Sequence, residues 1–102
     1  MRLSQIYRYS KKLKIRLNGN STQGCFISFR GNESMSLKSI FERISQKMNF
    51  SYSDMKKLRL FNSDGLEIYD EDVKFLQSKD TLYISLGQDF KVNTYYSEYQ
   101  MV

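Results

Sequence analysis

The 102-residue chain contains no histidine and a single cysteine, Cys25. Without an imidazole there can be no Ser-His-Asp or Cys-His dyad, no histidine general base and no histidine zinc ligand. One thiol makes neither an internal disulfide nor a thiolate metal site, so nothing points to an oxidising compartment. Cys25 lies within a segment that reads as a strand, where it is a small buried hydrophobe rather than a nucleophile. The five glycines are scattered over turns and build no phosphate loop. Asp70, Glu71 and Asp72 lack the ligand spacing of a calcium loop and read as the solvated start of a helix. No window approaches the ~20 apolar residues of a membrane span. Residues 1–8 hold no apolar run of signal-peptide length. The expectation is a non-enzymatic protein with no cofactor, no metal and no membrane partner, in the cytosol or an internal compartment.

Acidic residues are scarce in the first part of the chain. Residues 1–60 hold thirteen Lys/Arg against Glu33, Glu42 and Asp54, a sum of +10; residues 61–102 hold three Lys against eight acids, a sum of −5. The total is +5. A one-sided positive field attracts anionic surfaces and speeds encounter with them. The apolar fraction is 40%, and seven Phe and eight Tyr add bulk. A chain of this length makes one domain.

Residues 1–10 read as a basic N-terminal arm. Residues 11–17 alternate apolar with basic: Leu13, Ile15 and Leu17 share one face, and Lys12, Lys14 and Arg16 the other. That is a half-buried strand with a cationic outer surface. Asn18-Gly19-Asn20 turns the chain, and residues 25–29 return with Cys25, Ile27 and Phe29 on one side. Leu37, Ile40, Phe41, Ile44 and Met48 form one face of a helix over residues 36–48. Ser36 is its N-cap and Asn49 its left-handed terminator. Residues 57–61 are a third strand, and Asp64-Gly65 turns it into a fourth over residues 66–69. A short helical turn lies near residues 72–76, and residues 81–86 make a fifth strand. The reading is an α+β, ubiquitin-like β-grasp, with a mixed five-stranded sheet and one main helix packed on one face. Residues 93–102 form a Tyr-rich tail, part of which should fold back.

Several segments resemble the doublecortin family. Residues 11–20 resemble its basic opening strand and Asn-Gly turn, with Gly24 following. Residues 59–65 resemble its strand leading to an Asp-Gly turn, and residues 76–90 its last strand, which ends in Gly87 and then Phe90. The resemblance covers about residues 11–92. It implies a module that binds and stabilises microtubules, in the cytoskeleton or a ciliary axoneme, by docking a basic face on acidic tubulin. Carried over, the candidate contacts are Lys11, Lys12, Lys14, Arg16, Asn18 and Gly19, with a second cluster at Lys56, Lys57 and Arg59. Lys38, Arg43 and Lys47 on the helix come third.

A second reading is a ubiquitin-like assembly module. The stretch 64–72 is similar to the pattern of domains beside plant potassium-channel tetramerisation segments and some BTB domains. Lys14 and the acids 70–72 could pair head to tail as in the Phox/Bem class, and the split charge suits such association. Nucleic acid ranks lowest. The pI near 9.4 fits it, but the basic face is expected to lack the exposed aromatics of a single-strand binder.

Overall fold

In the computed structural model, residues 10–31 and 33–91 are described. Strand β1 (Lys11–Leu17) and strand β2 (Asn20–Phe29) form an antiparallel hairpin. Helix α1 (Leu37–Met48), a single-turn helix α2 (Tyr52–Met55) and strand β3 (Arg59–Asn62) follow. A 3-10 helix (Asp70–Phe75) leads to strand β4 (Thr81–Ser85). The sheet order is β2-β1-β4-β3, with β4 parallel to β1 and antiparallel to β3. The architecture is α+β: a mixed four-stranded sheet with one main helix packed on it.

The period-two pattern of β1 puts Leu13 and Ile15 under α1, where they are 0% and 1% exposed. They meet Ile40 and Ile44 from the helix and Ile27, Phe29, Leu60, Leu82 and Ile84 from the other strands. Burial of such aliphatic side chains contributes on the order of 1.5–3 kcal/mol each. Leu37, Phe41 and Met48 flank this core, partly buried. The helix ends follow their local sequence. The Ser36 hydroxyl accepts the Ser39 amide and the Ser39 hydroxyl accepts the Ser36 amide. At the other end Asn49 turns left-handed, at φ 60 and ψ 42.

The expected fourth strand at residues 66–69 is not formed; pairing there is an isolated bridge, Phe61 to Glu67, and the sheet has four strands rather than five. The Asn62 side-chain oxygen accepts the amides of both Asp64 and Leu66, curling the chain tightly. Asp72 then accepts the Tyr69 amide, and the 3-10 helix starts at once. Two backbone bonds, Asn62 N to Leu66 O and Ile68 N to Leu60 O, are all that the segment retains of a ladder with β3. Helix α2 was not expected from the sequence. It is set by a reciprocal cap between Ser51 and Asp54 and buries none of its own residues. The returning strand starts at Asn20 rather than Cys25 because a register shift after Arg16 lets the hairpin continue. Gly24 permits this, since a Cβ there would lie 2.0 Å from the Ile15 carbonyl oxygen.

The expected N-terminal arm lies outside the described residues except for Ser10, and the expected tail 93–102 lies wholly outside them.

Candidate functional site: a divided outer face

The sheet face away from α1 carries Lys12, Lys14 and Arg16 from β1, as alternation requires. Strand register sets their neighbours. One row across the face runs Phe26, Lys14, Thr81; the next runs Gly24, Arg16, Tyr83, Phe61. The two rows have different surroundings.

The second row is roofed by the chain that leaves β4. The Phe90 ring sits 5.5 Å from Tyr83, edge-on, and 5.8 Å from Phe61. Phe61 is therefore only 3% exposed, although it belongs to the outer face. Aromatic pairs of this kind contribute roughly 0.5–1.5 kcal/mol beyond their area. The segment is pinned at two further points. The Asn18 amide nitrogen donates to the Asp89 carbonyl at 2.9 Å, and its oxygen accepts the Lys91 amide at 2.8 Å. Arg59 grips Glu67 through Nη2 at 2.7 Å and Nε at 3.2 Å, and reaches the Asp89 carboxylate at 2.8 Å. These bonds push the Arg59 pKa upward and hold Glu67 below the usual carboxylate range. The neighbouring Glu67 charge raises the Tyr69 phenol.

The first row is open. Phe26 is 48% exposed. The Lys12 ammonium lies 4.8 Å from its ring centroid and the Lys14 ammonium 5.9 Å. Neither lysine has a carboxylate within ion-pair distance among the described residues. Cation–ring contacts at an exposed site are worth roughly 0.5–1 kcal/mol, enough to orient the ammonium groups while leaving their charge outward. The expectation that this face lacks an exposed aromatic is thus corrected. Phe26 projects there because its neighbours Cys25 and Ile27 face the other way.

The nine expected contact residues divide accordingly. Lys12, Lys14 and Arg16 share the outer face. Lys11 has the opposite parity, and its ammonium donates to the Leu76 carbonyl at 2.6 Å, at the end of the 3-10 helix. Asn18 holds the segment 89–91, and a side chain on Gly19 would touch Lys91. Arg59 is engaged by the domain's own acids. Lys56 lies over the Tyr52 ring at 4.8 Å on the helix side, and Lys57 is exposed beside it. Of the helix cations, Arg43 is tied to Glu33 and the Ser28 carbonyl and stacks 4.0 Å from Phe29. The Arg30 amide, which donates to Glu33, and then Arg43 keep the Glu33 carboxyl low. Lys38 and Lys47 are exposed.

No known protein family matches this chain, and no curated protein does either. Burial pushes the Cys25 thiol up, with Lys47 opposing more weakly, so the thiolate is disfavoured. No cluster of His, Cys, Asp or Glu among the described residues is placed to hold a metal ion. No helix among them is long and apolar enough to cross a membrane.

A second surface is opposite in character. A cleft of about 450 Å³ opens between the 62–68 loop, the 3-10 helix and the start of β4. Asp64, Glu67, Asp72 and Asp80 line it together with Leu66 and Phe75. The last two are 64% and 72% exposed.

Proposed function

We propose that this domain is a non-enzymatic docking module of the doublecortin type, which sets Lys12, Lys14 and Phe26 against an acidic protein surface, that of tubulin in a microtubule. One observation carries the reading: two ammonium groups flank an exposed ring on one sheet face, with no carboxylate within ion-pair distance among the described residues. Electrostatic attraction would steer the encounter, and the ring would supply apolar contact once water is displaced. The strand order and the single packed helix are compatible with the doublecortin resemblance. Arg59, Asn18 and Lys11 serve the fold in this reading, and Arg16 flanks the contact. Co-sedimentation with microtubules tests it. Binding should weaken steeply as salt rises and should fall at least about tenfold on combining Lys12→Glu with Lys14→Glu. Pelleting that is unchanged by that pair removes the proposed contact.

The acidic cleft supports a second reading, head-to-tail assembly of copies of this chain. Asp64, Asp72 and Asp80 beside exposed Leu66 and Phe75 complement the Lys12–Phe26–Lys14 patch in charge and polarity. Light scattering would then show mass rising with concentration, abolished by Lys14→Glu or by Asp72→Lys alone and restored on mixing the two variants.

A further inference from the structure

Helix α2 has its own cap at Ser51 yet buries none of its residues. Its apolar side chains instead form a wall. Tyr52 and Met55 face Leu37 and Phe41 of α1 across a groove of about 550 Å³. Tyr52 is 72% exposed, at the mouth. The lining is almost wholly apolar, and its charged groups stand at the rim: Lys38, Lys56 and Asp70. Both lysines are exposed. The Asp70 carboxylate accepts the Leu37 amide at 2.9 Å, so its charge is opposed by the positive end of α1. The rim is therefore net cationic around an apolar floor. This groove lies on the helix side of the sheet, across the core from Lys12 and Lys14.

We propose that the α1–α2 groove binds a peptide segment of a partner protein, one that inserts a bulky apolar side chain between Phe41 and Met55 and offers flanking carboxylates to Lys38 and Lys56. The floor supplies the apolar component and the rim selects the charge, the division of labour common to interfaces that recognise short segments. Lys56 already lies over the Tyr52 ring, 4.8 Å from its centroid, so a carboxylate arriving at the mouth meets a placed ammonium beside an aromatic face. Asp and Glu flanks are favoured over Lys and Arg because like charge at the rim repels. This site is independent of the outer-face patch and does not rest on the microtubule reading.

The test selects twelve-residue peptides from a displayed random library on the full chain, then measures the most enriched peptide by fluorescence anisotropy. Enriched sequences should share a Leu, Ile, Met or Phe flanked by Asp or Glu. Affinity should fall about tenfold or more with Tyr52→Ala, and likewise with Lys38→Glu plus Lys56→Glu. It should stay unchanged with Lys12→Glu plus Lys14→Glu. All these side chains except Lys14 are exposed, and circular dichroism checks that each variant keeps its fold. Enriched peptides without acidic flanks, affinity indifferent to the groove variants, or affinity lost through Lys12 and Lys14 would each overturn the proposal. So would a dimer in light scattering that Tyr52→Ala dissolves, because the occupant would then be a second copy.

Discussion

Asn18 holds Lys91 by its backbone: the side-chain oxygen accepts the Lys91 amide at 2.8 Å while the amide group donates to the Asp89 carbonyl at 2.9 Å. A turn residue of the first hairpin thereby fixes the segment that leaves the last strand. Replacing it by Ala removes both bonds, each worth about 0.5–1.5 kcal/mol net. Asn18→Ala should lower the unfolding free energy by about 1–2 kcal/mol in urea titration and speed hydrogen exchange at the Lys91 amide. Unchanged exchange there would show that the segment is held without Asn18.

Phe90 and Gly65 are coupled. Gly65 has φ +84, and a Cβ on it would lie 2.9 Å from Phe90 Cδ2. Gly65→Ala should cost about 1–2 kcal/mol for the left-handed backbone alone, and more for displacing the ring. Phe90→Ala should cost about 2 kcal/mol, below the usual buried Phe value because the residue is only partly buried. The double variant should be more stable than the sum of the two losses implies, since the clash vanishes with the ring. Strict additivity in a double-mutant cycle would contradict the packing described.

The Arg59–Glu67 pair gives a signed pH dependence. Arg59 lowers the folded pKa of Glu67 below its ordinary 4.5. The folded state therefore favours the carboxylate, and the pair's contribution is complete above the unfolded pKa. It is lost as pH falls from the 4–5 region through the depressed folded value. Glu67→Gln should flatten the acid limb of stability against pH while leaving the limb above pH 7 parallel to wild type. Parallel curves throughout would mean that the pair carries no pH-dependent stability. Its partial exposure keeps the effect modest.

Ser36 caps the main helix through its hydroxyl. Ser36→Ala should destabilise by about 1 kcal/mol, and Ser36→Asp should recover most of that. Equal loss in both variants would indicate that the hydroxyl acts through Ser39 rather than as the cap acceptor.

The helix was legible because its information is local: an apolar stripe at helical spacing, a cap at Ser36 and a stop at Asn49. So were the hairpin and the inward Leu13 and Ile15. Helix α2 was hidden because four residues, Tyr52–Met55, are too few to show a period. Residues 66–69 alternate like a strand, yet the Asn62 side chain and the early 3-10 start leave them without room to pair. Among the candidate contacts, the outward parity of Lys12, Lys14 and Arg16 was readable, and the same parity rule could have removed Lys11 and added Phe26. The capture of Arg59 was not readable, because Asp89 lies thirty residues away and meets it only once the chain crosses the sheet.

In the proposed docking, the outer-face lysines, rather than the excess of positive charge as such, make the contact. Microtubule co-sedimentation with matched charge reversals tests it most directly. Lys12→Glu with Lys14→Glu and Lys56→Glu with Lys57→Glu change the net charge equally. The proposed contact requires a loss of about tenfold or more for the first pair and less than twofold for the second. Equal losses, or none from the first pair, would contradict it.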